Sequence, residues 1–310
     1  MMTEQTNENS STLARVLNFL ATLDRRWIFL LMAGITIIFM VINARISIPI
    51  SAPAQGVYNA IEALQPGDRV HLSIDYGPSS QAELLPMHIT MLRQLFRKKA
   101  VVVCSSLWTD SPPMTEKVWE IVAPEFEKIG EKKVYGVDFV NLGFKAGDRT
   151  AIASIGNSFK NTFPIDYRGN KTSELPIMQG WDDYSGIALL CTLAVGDPGP
   201  VEYIQQAQSR YNIKMITGCT ALLSPQLYPF FQSNNLLGFL GGLAGAAEYE
   251  TLNGESGQGI KGMNVQSAIH MLIVLLVLLG NIAAFLLKFV PDAKPGAPND
   301  PENSKSAEKG

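Results

Sequence analysis

With only three cysteines and three histidines in 310 residues, the chain is poor in the side chains that most often bind metal or form structural crosslinks. Cys104, Cys191 and Cys219 lie far apart, show no CxxC spacing, and sit inside or beside apolar runs, so they read as buried thiols. A disulfide would need both an oxidising compartment and two strands that bring the sulfurs within bridging distance. His71 falls in a strand, His88 in a helix and His270 in an apolar run, so no local pair has metal-ligand spacing. No GxGxxG follows a strand, and neither a Walker A motif nor a GxSxG elbow occurs, which removes the main signatures of nucleotide-binding and α/β-hydrolase proteins. The formal net charge of -3 supplies no basic field to gather nucleic acid. No cofactor, metal or nucleic-acid partner is implied.

What is present is local greasiness. The apolar fraction of 46% and the charged fraction of 17% suit a protein with a core, but two runs exceed what a core needs. Residues 27–44 read WIFLLMAGITIIFMVINA, and residues 265–287 read VQSAIHMLIVLLVLLGNIAAFLL. At ~1.5 Å per residue, about 20 residues cross the ~30 Å hydrocarbon layer, so both are expected to span. Gln266 and His270 stand four residues apart in the second run and could share a helix face, either toward a partner or at the headgroups. Arg25 and Arg26 precede the first run and Lys288 and Lys294 follow the second, against Arg45 and Lys261 on the facing flanks. That bias predicts a plasma-membrane protein with both termini cytoplasmic and the central domain extracytoplasmic. Ala52-Pro53-Ala54 resembles a signal-peptidase site, but the first run is longer than a usual signal core and favours an uncleaved anchor. The expected plan is a tail (1–26), a span (27–44), a connector (45–65), an α/β domain (66–250), a linker (251–264), a second span (265–287) and a disordered tail (288–310).

Between the spans, strand-like and helix-like segments alternate. Residues 69–75 (RVHLSID), 100–105 (AVVVCS), 133–140, 186–195 (GIALLCTLAV) and 213–217 read as strands, and 82–98, 112–130, 148–159 and 200–211 as helices. Short turns and mostly apolar strands predict a doubly wound, mostly parallel Rossmann-like sheet of about five strands with helices on both faces. Ligands bind such sheets outside the carboxyl ends of the strands. The residues there include Asp75, Ser79 and Ser80 after the first strand and Ser105 after the second. Asn141-Leu142-Gly143 follows the third, Gly196-Asp197-Pro198-Gly199 the fourth and Thr220 the fifth. Asp75, Ser79, Ser80, Ser105 and Thr220 are the candidate contacts for a small polar ligand, although Gly, Ser, Thr and Asp also serve tight turns. Asp182-Asp183 could pair with Asp75 as acid and base, but as residues before a strand they belong to the opposite end of the sheet. Gly238, Gly241, Gly242 and Gly245 recur at helical steps, which predicts a small-residue helix for close packing, self-association or membrane contact.

The phrases SIDYGPSSQAELLPM, VYGVDFVNLGFKAG and GFLGGLAGAAEYETL together resemble an uncharacterised family of prokaryotic two-span membrane proteins, over about residues 66–281. That resemblance implies an anchored Rossmann-like extracytoplasmic domain and carries no activity. The helix, α/β domain, helix plan is also similar to the extracytoplasmic domains of gliding-motility and ABC-transporter accessory proteins. Three functions compete. The first is a non-enzymatic component of a membrane assembly that contacts a protein partner or its own copies, through an apolar patch including Tyr228, Phe230 and Phe231. The second is a sensor or transporter-accessory module binding a polar ligand at the strand ends. The third is a hydrolase acting through Asp75 or Cys219, which would need an activated nucleophile.

Overall fold

The computed structural model describes residues 15–41 and 48–289. Helix α1 (Arg25–Val41) is 17 residues long, with most of its apolar side chains exposed. Residues 42–44 of the expected first span, 45–47 of the connector, 1–14 of the first tail and 290–310 of the expected disordered tail lie outside the described residues. Arg45–Asn264 forms one compact unit, and the terminal segments form another.

In the first of these units, α2 (Ala52–Glu62) leads to β1 (Arg69–Asp75), α3 (Gln81–Arg97), β2 (Val101–Ser106), α4 (Pro112–Lys128), β3 (Phe139–Phe144) and α5 (Asp148–Asn157). Then come β4 (Leu189–Ala194), β5 (Met215–Cys219), β6 (Gly238–Gly241) and α6 (Gly242–Leu252). Helix α7 (Gln258–Leu287) begins in this unit and continues past it. The six strands make one sheet in the order β3-β2-β1-β4-β5-β6, every neighbouring pair parallel. The order reverses between β1 and β4, as in doubly wound α/β proteins.

The period-2 geometry of a strand sorts β1 into two faces. Val70, Leu72 and Ile74 enter a core with residues of α2, α3, α4 and α6, while the other face is met by α5 and by the segments around Phe159 and Tyr203. On that second face β1 carries His71, Ser73 and Asp75, all fully buried. Burial of both faces is what parallel sheets require, but here one face of the central strand is polar.

The fourth and fifth strands are displaced at their ends by one to three residues from the sequence reading, and two larger differences change the sheet. The third strand is Phe139–Phe144 rather than 133–140, because 134–138 form a turn. Asp138 accepts the Val134 amide at 2.8 Å, and Gly136 adopts a left-handed φ of 79°. Asn141, Leu142 and Gly143 are therefore inside the strand, not beyond it. The second difference is β6, which makes six strands instead of five. Gly238 and Gly241 belong to this strand, Gly242 starts α6, and no small-residue helix runs through all four glycines. A Cβ on Gly56 would meet the Leu237 carbonyl, and one on Gly238 would meet the backbone of Pro53 and Val57. The glycines thus let α2 lie directly on β6. Gly245 similarly rests on the backbone of Leu240.

Helix α6 holds both connections of the unit. Its Glu248 carboxylate accepts the amide (2.9 Å) and hydroxyl (2.5 Å) of Ser51, the N-cap of α2. Its Glu250, 2% exposed, accepts the amides of Gly259 (2.9 Å) and Ile260 (2.7 Å) in the first turn of α7. A carboxylate there satisfies amides that a helix start leaves unpaired and meets the positive end of its dipole. The expected linker 251–264 is further tied down by Glu255, which pairs with Arg93 (2.7 Å) and Arg97 (3.1 Å) of α3. Among the described residues α7 is the one helix long and apolar enough to cross a membrane. Met271, Val274, Leu278, Ile282 and Phe285 are exposed along it.

Candidate ligand site at the carboxyl edge of the sheet

Asp75 ends β1 at the point where the strand order reverses. Its carboxylate accepts the Ser73 hydroxyl at 2.7 Å and the Leu107 amide at 2.6 Å. Because Ser73 donates to Asp75, its oxygen is free to accept the Tyr203 hydroxyl, 2.7 Å away. One strand over, the Ser105 hydroxyl lies 2.8 Å from His71 Nε2. His71 packs edge-on against Phe159 and Tyr203. Burial pushes the Asp75 carboxyl up to about 7, with the Ser73 and Leu107 hydrogen bonds opposing the rise. Burial also holds His71 down at about 3, so its ring is neutral. A buried carboxyl in such surroundings takes its proton near neutrality.

This geometry separates the sequence-predicted contacts. Asp75 and Ser105 lie beneath the sheet edge in one buried polar layer, so Ser105 is not a rim residue. Ser79 is exposed, and Ser80 is half-buried with its hydroxyl donated to the Gly77 carbonyl at 3.3 Å. Thr220 follows β5 and its carbonyl accepts the amides of Leu223 and Ser224, a turn role. The alternative acid pair fails on position: Val70 pairs with Leu189 at the start of β4, and Asp75 with Ala194 at its end, so Asp182 and Asp183 sit at the far end from Asp75. Asp182 pairs with Lys160 at 3.2 Å, and Asp183 accepts the Ser185 amide and hydroxyl, which lower its carboxyl below the usual range. Cys219 is buried at the end of β5, and burial pushes its thiol up to about 12, opposite to what a nucleophile needs.

The edge of the sheet instead opens into a cavity of about 410 Å³ lined by Gly147, Asp148, Arg149, Thr150, Asp197, Pro198 and Glu202. These residues come from the loop and first turn after β3 and from the loop and helical turn Pro200–Tyr203 after β4. Glu202 is 5% exposed; one oxygen accepts the Gly199 amide at 3.0 Å and the other faces Arg149 at 3.3 Å. The next residue, Tyr203, reaches down to Ser73, which connects the cavity wall to the buried layer around Asp75. Gly147 and Asp148 both have positive φ, 123° and 44°. For Asp148 this is an unfavourable backbone state, of the kind that persists where the surroundings enforce it and often where function resides.

Asp197 and Pro198 were readable as strand-end residues, but Arg149 and Glu202 were not. A strand ending at 140 would leave the loop 145–150 away from the strand ends, whereas the observed end at Phe144 puts it at the carboxyl edge. The cavity offers one guanidinium and three carboxylates. Among the described residues, no group of three His, Cys, Asp or Glu side chains is placed to hold a metal ion. Comparison with protein-family models finds no match for this chain, and comparison with curated proteins finds none at a significant level.

Proposed function

We propose that the chain is a membrane-anchored binding module whose α/β domain takes a small polar ligand at the carboxyl edge of its sheet. The cavity between the β3 and β4 loops carries this reading. Its volume lies within the ~300–1,000 Å³ usual for small-molecule sites, and it stands at the edge where doubly wound sheets bind ligands. Helix α7 supplies an anchor, and the 27–44 run supplies a second. The flanking Arg and Lys residues favour an extracytoplasmic domain, in keeping with the resemblance to prokaryotic two-span proteins. Binding of a panel of polar metabolites is expected to raise the melting temperature of the full-length protein in detergent. Arg149→Ala should abolish that rise without unfolding the chain, and a rise that survives the substitution would place the ligand elsewhere.

A second reading, an assembly component that contacts a protein partner or its own copies, rests on the connection between β5 and β6. Leu222 is 90% exposed there and Tyr228 48%. Tyr228 and Phe231 nevertheless pack their rings on Phe239, so part of this patch is committed to the domain itself.

A further inference from the structure

We infer that the ligand of this cavity is a small zwitterion, an amino-acid-like molecule whose carboxylate meets Arg149 and whose ammonium meets the carboxylates of Asp148 and Asp197. The inference rests on the ligand-site reading above and sharpens it. Arg149 enters from α5 with its side chain 61% exposed. Its contact with Glu202 uses one terminal nitrogen of a guanidinium that has five donors in a planar fork, so a bidentate face remains for a carboxylate. Glu202 is fixed from behind by the Gly199 amide and is buried, so it orients the guanidinium rather than competing for solvent. Asp148 opens α5 and Asp197 stands on the facing loop after β4; both are exposed, and among the described residues neither has an ion-pair partner.

The charge arrangement selects among ligand classes. An anion without an amine would meet one guanidinium and leave two unpaired carboxylates facing it, and like charges at close range repel. A cation without an acid would leave the open side of Arg149 unmatched. A molecule carrying both signs a few bonds apart satisfies both loops at once, and the cavity is of a size for a small one.

The test is titration calorimetry of the full-length protein in detergent at low salt. The zwitterionic probes are glycine, L-serine and L-glutamate; the probes with one charge removed are glycolate and ethanolamine, and glycerol is the neutral control. The zwitterions are expected to bind, and loss of either charge from the probe to weaken binding by about tenfold or more, the effect of one charged hydrogen bond. Arg149→Met should remove the advantage of the carboxylate-bearing probes, and Asp197→Asn that of the amine-bearing ones. If glycolate or ethanolamine binds as tightly as glycine, the zwitterion inference is overturned while the ligand site stands. If no probe binds and the metabolite panel also leaves the melting temperature unmoved, both fall together.

Discussion

Asp75 illustrates how a single side chain takes its chemistry from its surroundings. In the unfolded chain its carboxyl titrates near 3.8, and in the folded protein at about 7. Between these values the folded protein keeps a proton that the unfolded chain has released. The stability linked to this residue is therefore fully present below about pH 4, falls as pH rises, and is lost above about pH 7. The gap between the two values corresponds to ~4 kcal/mol. Asp75→Asn keeps the shape and an acceptor for the Leu107 amide but cannot ionise. Denaturant unfolding of the full-length protein should show the variant gaining on the native chain by up to ~4 kcal/mol between about pH 4 and pH 8. A difference that does not change with pH would mean that Asp75 is charged throughout. The sequence showed Asp75 as a strand-end acid. Its burial depends on Tyr203, Leu107 and Ser73, of which only Ser73 is a near neighbour in the chain.

At the scale of elements, the contact of α2 with β6 depends on the absence of side chains at Gly56 and Gly238. Two backbones approach there, so no flexible side chain can move aside. Gly238→Ala is expected to destabilise the protein by about 3 kcal/mol or more, through displacement of α2 from the sheet edge. A thermal midpoint equal to that of the native chain would show that the contact is loose. The glycines were visible as a small-residue pattern, but their i, i+3, i+4 spacing suggested a helix. Gly238 and Gly241 bound a four-residue strand, and Gly242 and Gly245 start the next helix. A pattern spread over two elements has no meaning as a single period. Pairing with β5, distant in sequence, decided where the strand ended.

At the scale of the whole molecule, one helix organises the attachment of both ends of the α/β unit. Glu248 binds the start of α2 and Glu250 the start of α7, so one helix of the domain holds the two chain segments adjoining the apolar runs. Burial raises the Glu250 carboxyl, while the Ile260 and Gly259 amides act against that rise and favour the charged form. If residues 27–44 form a second anchor, a chain lacking residues 265–289 will stay in the pellet after alkaline carbonate washing of membranes. Release of that chain into the supernatant would leave α7 as the sole anchor.

The alternation of apolar strands with amphipathic helices, readable in short windows, determined the α/β class and the parallel sheet, because each element's period reflects local backbone geometry. The length of the 265–287 run likewise determined a helix able to cross a bilayer. What only the tertiary structure decided is non-local: the sixth strand, the burial of Asp75, and the cavity in which Arg149 faces Glu202, 53 residues away. Those features arise when segments distant in the chain pair as strands or meet as loops at one edge of a sheet. No periodicity in the chain records which loops will meet, since that depends on strand order and on where each strand stops.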